Sequence, residues 1–204
     1  MKTILVCGFG RCGSSLVMQM LEAGGVPTTG TWPAFEDERF SAGRCPTPEL
    51  VRMLRGHAIK VLDPHKVELP RAEYLAIWLD RDLKQQAKSQ AKFLRMMCGI
   101  QPAPGTRGAL RASYKRDRAP ALRALVNAGA TILPLRFEGL LTNAAGRAAL
   151  IGAYLEHAGI RCNIDKMTQA VRSRPTRCAF GLEMEMMLHD ERKQVAESVI
   201  GETP

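Results

Sequence analysis

Apolar and polar positions along the chain fall into two alternating regimes. Short apolar runs read as buried strands: Thr3-Ile4-Leu5-Val6-Cys7, Ala58-Ile59-Lys60-Val61-Leu62, Tyr74-Leu75-Ala76-Ile77-Trp78-Leu79 and Thr131-Ile132-Leu133-Pro134-Leu135. The third is apolar throughout, as a parallel strand covered on both faces should be. Between the runs, apolar residues recur at helical spacing. One helix opens at Ser14-Ser15 and carries Leu16, Val17, Met20 and Leu21 on one side. Further helices are predicted over 49–55, 83–97, 120–127 and 144–158, the last with Leu150, Ile151, Tyr154 and Leu155 on one side and Gly159 as its cap. Strand and helix in repeated succession predict an α/β fold, a three-layer sandwich around a parallel sheet of about four to five strands.

Three stretches break the pattern. Residues 26–48 hold no period and are punctuated by Pro and Gly, so 31–48 reads as a long loop, which in a compact domain is functional or mobile. Residues 99–117 read as a second loop, basic through Arg107, Arg111, Lys115 and Arg116, either a lid over an anion or a solvated run. Residues 163–204 read as a helical tail, interrupted at 172–177 and ending in a helix over about 182–199. At 204 residues the whole is expected to be one domain, 1–204.

The chemistry concentrates where the first strand meets the first helix. Gly8-Phe9-Gly10-Arg11-Cys12-Gly13 is a tight turn between them. Strand, glycine loop and helix together leave backbone N–H groups pointing outward at the positive end of a helix dipole, the arrangement that holds phosphate. The Gly8-x4-Gly13 spacing is that of a Walker-type loop, but Ser14 stands where a nucleotide triphosphatase carries Lys. The one cation of the loop is Arg11. The alternative reading is a glycine turn with no ligand. Cys12 is either a reactive thiol at a helix N-terminus or a small loop residue.

Composition narrows the partners. Net charge is +9, with Lys+Arg 29 against Asp+Glu 20, which favours an anionic partner. Aromatic residues make up 5% and show no stacking pattern, so nucleic acid ranks below a small polyanion. No run is long enough to span a membrane. The six cysteines (Cys7, Cys12, Cys45, Cys98, Cys162 and Cys178) lack metal-ligand spacing and read as reduced thiols, which predicts a cytoplasmic protein.

Other candidates lie at strand ends, where a parallel sheet forms its ligand crevice. Lys60 and His65 flank the end of the second strand; the alternative for His65 is a surface or capping residue. Arg81 ends the third strand and Ser89 follows eight residues later, on the next helix. They either bind a phosphate together, or Arg81 pairs with Asp80 or Asp82 and Ser89 is simply exposed. The loop 31–48 offers Glu36, Asp37, Glu38 and Arg39 beside Trp32 and Phe35, as a cover with an acid or base or as a solvated charged loop.

Three pieces in register resemble the sulfotransferase family that uses 3′-phosphoadenosine 5′-phosphosulfate (PAPS). Gly10-Arg11-Cys12-Gly13-Ser14-Ser15-Leu16 is similar to its 5′-phosphosulfate loop. Ile77-Trp78-Leu79-Asp80-Arg81-Asp82 with Ser89 is similar to the strand, Arg and Ser that bind the 3′-phosphate. Leu133-Pro134-Leu135-Arg136-Phe137-Glu138-Gly139-Leu140-Leu141 resembles its Arg-Tyr-Glu-Asp-Leu-Leu strand end. The likeness runs over 2–160, and MQMLEAGGVP is similar to bacterial and phage members.

The resemblance implies a P-loop NTPase-like sulfotransferase fold and transfer of a sulfuryl group from PAPS to an acceptor hydroxyl or amine, with no metal required. It implies that Gly10, Arg11, Cys12, Gly13, Ser14 and Ser15 hold the 5′ end, that Arg81 and Ser89 hold the 3′-phosphate, and that Arg11 is the catalytic cation. His65, Glu38 (with Glu36) and Lys60 match the places of the base, His65 slightly ahead. Cys12 stands where the family has Ser, and Leu83 where it has Pro. The C-terminal glycine-rich motif is missing, with Arg174 and Arg177 as substitutes. The chain is short for the family, which implies an acceptor pocket that is small, open or completed by a second copy in a homodimer. The acceptor is left open. Two other classes stand beside this one: a nucleotide or nucleoside kinase, which the absent Lys opposes, and a non-catalytic nucleotide-binding module.

Overall fold

A computed structural model of the chain describes residues 1–172. Four strands, β1 (Thr3–Gly8), β2 (Ala58–Leu62), β3 (Tyr74–Asp80) and β4 (Ala130–Arg136), form one parallel sheet in the order β2-β1-β3-β4. Every residue of β1 is buried, which is why its run is apolar rather than alternating. Its side chains divide between two cores. Ile4 and Val6 face a layer made by α1 (Ser14–Ala23), α5 (Phe137–Thr142), α6 (Ala144–Glu156) and α7 (Ile164–Gln169). Leu5 and Cys7 face the opposite layer, made by α2 (Pro48–Met53), α3 (Leu83–Met97) and α4 (Thr106–Asn127). The strand period of two thus sorts one apolar run onto both faces of the sheet. The result is the predicted three-layer α/β sandwich.

The register matters for the site. Gly8 of β1 pairs with Leu62 of β2 and with Leu79 of β3, so three strands end level. The chain leaves β1 toward β2 and then crosses back to β3 on the other side of β1. That reversal opens a crevice at the carboxyl ends of the central strands.

The main departure from the sequence reading is 99–117. Its greater part is helical: α4 runs unbroken from Thr106 to Asn127, with Pro120 inside it. Tyr114, Ala121 and Leu125 form a buried stripe at helical spacing, and the charges lie on the other side. Density of charge and three glycines (Gly99, Gly105 and Gly108) favour a loop, and Pro120 favours a helix start. Burial of that stripe against β3 outweighs both. The segment after β4 also differs, since Phe137 opens the short helix α5 instead of closing the strand. Loop 31–48 contains a 3₁₀ turn, Glu38–Phe40, capped by Asp37. Arg174, Arg177, Cys178 and the predicted final helix lie outside the described residues.

Candidate functional site

The glycine loop begins where β1 ends and closes on α1. Arg11 and Gly13 both adopt left-handed backbone conformations, with φ of 65° and 104°. For Arg11 that conformation is disfavoured sterically, so the surrounding contacts hold it there. Gly13 is required twice over. Its φ suits glycine, and a Cβ there would run into the ring of Phe137. Gly13 is the N-cap of α1 and offers no side-chain cap. The Gln86 side chain, buried on α3, clamps the loop from beneath by donating from Nε2 to the carbonyls of Gly10 (3.0 Å) and Phe9 (3.4 Å).

Two guanidinium groups converge on this loop. Arg81 is 6% exposed and donates from Nη1 to the Arg11 carbonyl at 3.0 Å. Its guanidinium lies over the Phe137 ring, 4.3 Å from the centroid. The Arg11 side chain donates from Nε to Ser89 Oγ at 3.2 Å and sits over Phe93 at 5.3 Å. Neighbouring acids take other partners. Asp80 receives Arg118 through two hydrogen bonds of 3.0 and 2.6 Å, and Asp82 caps α3 by accepting from the Gln85 amide. Glu138, in the first turn of α5 just past β4, accepts from the Asp82 amide at 2.8 Å and so ties α5 to the end of β3 beside Arg81. Burial pushes the Asp80 carboxyl up, but the hydrogen bonds from Arg118 and Trp78 outweigh it and hold it below the usual range.

Opposite the arginines, Lys60 rises from the middle of β2 into the crevice floor. It is 6% exposed, and its Nζ donates to Ala34 O (2.8 Å), Ser15 Oγ (3.2 Å) and Glu36 Oε1 (3.2 Å). Burial lowers its pKa, and the Glu36 carboxylate opposes that shift. Through Lys60, the loop 31–48 is fastened to the start of α1. The Cys12 thiol is fully buried, and burial raises its pKa against hydrogen bonds from Ser14. The reading of Cys12 as a reactive thiol therefore gives way to that of a small residue filling the space under the loop.

Arg11, Gly13, Ser15, Lys60 and Arg81 line one cleft of about 590 Å³, with Gly10 and Ser14 also on its wall. Ser89 bounds it through Arg11. Two sequence candidates are elsewhere. Glu38 is exposed on its 3₁₀ turn and is not among the lining residues; Glu36, two residues earlier, is. His65 is turned toward Phe9, edge-on with ring centroids 6.2 Å apart, and does not line the cleft either. Of the other lining residues, Trp32 belongs to the loop 31–48 read as a possible cover, whereas Asp63 and Phe137 carry no site role in the sequence reading. Asp63 stands at the end of β2 in a left-handed conformation (φ 50°), Phe137 braces Gly13 and Arg81, and Trp32 forms the far wall. The non-glycine left-handed residue right after a strand is a geometric feature without a sequence signature.

A glycine loop with two arginines beside it thus lies at the switch point of a parallel sheet, in an α/β architecture of the phosphate-loop kind. No family model matches the chain, and no curated protein sequence matches it. Among solved structures, the crystal structure of mouse sulfotransferase SULT7A1 complexed with PAP is similar, with a TM-score of 0.54 and 17% identity over 83% of this chain and 61% of that one. The match thus spans less than two thirds of that protein. The chain has a P-loop-like sulfotransferase fold. Among the described residues, no helix is long and apolar enough to cross a membrane.

Proposed function

We propose that the cleft binds PAPS and transfers its sulfuryl group to an acceptor hydroxyl or amine. The observation that carries this reading is the coupling of Arg11, Arg81 and Ser89 around one loop. These are the residues that the sequence resemblance assigns to the two ends of the nucleotide. The similar solved structure, a sulfotransferase with PAP bound, agrees with it. A phosphate loop with no Lys after Gly13 suits a donor that needs no triphosphate clamp.

In this reading the amides of Gly13, Ser14 and Ser15 take the 5′-phosphate and Arg81 takes the 3′-phosphate. Arg11 stabilises charge that develops on the bridging oxygen as the S–O bond breaks, and Ser89 orients its guanidinium. The acceptor oxygen or nitrogen forms the new bond to sulfur, and its proton passes to a carboxylate. Glu36 is the base we favour over His65 and Glu38, because it lines the cleft and Lys60 links it to Ser15 at the start of α1. Lys60 is then a positioning residue for Glu36 and the loop.

Thermal shift with adenosine 3′,5′-bisphosphate and with ATP–Mg tests the nucleotide, since a ligand that binds only the native state raises stability. The bisphosphate should stabilise the protein more. Stabilisation by ATP–Mg alone would favour the kinase reading instead. Glu36→Gln should keep bisphosphate affinity and lose turnover of labelled PAPS, while an equal loss on Asp63→Asn alone would move the base to Asp63.

A further inference from the structure

The seam between α3 and α4 carries cations in two facing rows. Lys84, Lys88 and Lys92 lie one turn apart on α3, and Arg107, Arg111 and Lys115 one turn apart on α4. The helices run antiparallel, so that the end of α3 meets the start of α4. Two depressions lie along the seam. One, of about 630 Å³, includes Lys88, Lys92 and Arg107; the next, of about 550 Å³, includes Lys84, Arg111 and Lys115. Lys84 and Lys88 are one turn apart and Arg107 and Gly108 are consecutive, so the depressions adjoin. At 1.5 Å per helical residue, 84–92 spans about 12 Å.

Lys84, Lys88, Arg107, Arg111 and Lys115 are all exposed, and none of them enters an ion pair with another described residue. The helix α3 contains no acidic residue, and the one acid of α4, Asp117, pairs with Arg116. Asp82, at the mouth of the second depression, is engaged as the cap of α3. Like charges held this close repel one another, and an anion laid between them relieves that repulsion.

We propose that this groove binds a linear acidic polysaccharide. Charge complementarity calls for a polyanion, and the lining selects among polyanions. Neither depression has an aromatic residue, so the stacking platform of a single-stranded nucleic acid site is missing. Charged residues are depleted at the core of protein–protein interfaces and aromatic residues are enriched there, whereas this lining is charged and has no aromatic residue. A concave seam suits a chain better than the flat headgroup surface of a membrane. The second depression is also lined by Arg81, the residue proposed to hold the 3′-phosphate, whereas the first, with Lys88 and Arg107, shares no residue with the nucleotide cleft, and the inference is tested there.

The test is fluorescence anisotropy with labelled polygalacturonate oligosaccharides, with neutral dextran oligosaccharide, single-stranded oligothymidylate and phosphatidylserine-containing vesicles as comparators. The protein should bind polygalacturonate, ignore dextran, and lose affinity as salt rises. Lys88→Glu with Arg107→Glu should weaken binding by at least about tenfold. The melting temperature should hold, and Lys88→Gln with Arg107→Gln should give an intermediate loss if the charge-reversed protein fails to fold. Arg55→Glu with Arg71→Glu changes net charge equally at exposed sites elsewhere and should leave binding intact. Three results would each overturn the proposal: no binding to polygalacturonate at low salt, tighter binding to oligothymidylate or vesicles, or an equal loss in the Arg55/Arg71 variant.

Discussion

Replacing Arg81 by Met separates the two ends of the proposed nucleotide site. In the free protein the change has opposing effects. It removes the hydrogen bond to the Arg11 carbonyl and the contact over Phe137. Those are worth about 1.5–3 kcal/mol and about 0.5–2 kcal/mol. It also relieves the burial of a charged group that is 6% exposed, which costs several kcal/mol when a guanidinium leaves water. The Met side chain keeps much of the aliphatic volume. The terms nearly cancel, so unfolding stability should change by no more than about 2 kcal/mol. Binding has no such compensation. A charge-assisted hydrogen bond to a phosphate contributes about 1.5–3 kcal/mol, or about 12- to 160-fold in affinity. Isothermal titration with adenosine 3′,5′-bisphosphate and with adenosine 5′-monophosphate reads this directly, because only the first carries the 3′-phosphate. Arg81→Met should shrink the ratio of the two affinities by that factor. Equal weakening of both ligands would mean that Arg81 acts only by shaping the loop through the Arg11 carbonyl. An unchanged ratio with unchanged affinities would remove it from the site.

Two further predictions follow from the same geometry. Gly13→Ala should destabilise by about 2–5 kcal/mol, from a left-handed non-glycine residue and from a methyl driven toward Phe137; urea denaturation measures it, and an unshifted midpoint would show that the loop does not need this conformation. Lys60→Met should be neutral or stabilising at neutral pH, because it removes a buried charge while Ser15 still donates to the Ala34 carbonyl and Glu36 is left 70% exposed. Since burial lowers the Lys60 pKa in the folded protein, the unfolded chain holds that proton to higher pH. Wild-type stability should therefore rise relative to Lys60→Met as pH climbs from the folded pKa toward 10.5. A flat difference from pH 7 to 10 would refute this.

Much of the frame was legible in one dimension. The four strands are read correctly because each is a short apolar run, and burial on both faces leaves no other composition for a central parallel strand. The glycine loop is legible because left-handed backbone selects glycine at Gly13 and because strand, turn and helix are contiguous. Arg81 and Ser89 were visible only by resemblance, since spacing alone allowed Arg81 to pair with Asp80 or Asp82. The structure turns those acids to Arg118 and to the α3 amide.

What had to wait for three dimensions is whatever depends on contacts between distant segments. Local signals made 99–117 a loop, yet a buried stripe against the sheet makes most of it helix, and that in turn draws scattered cations into facing rows. On the sequence alone His65 stands slightly ahead of Glu38 and Glu36 as the base. Only the twist of the turn after β2 and the reach of Lys60 across to the loop 31–48 decide which one borders the cleft. A residue's type is set by its own position, but its partners are set by the packing of all the others, and packing is non-local.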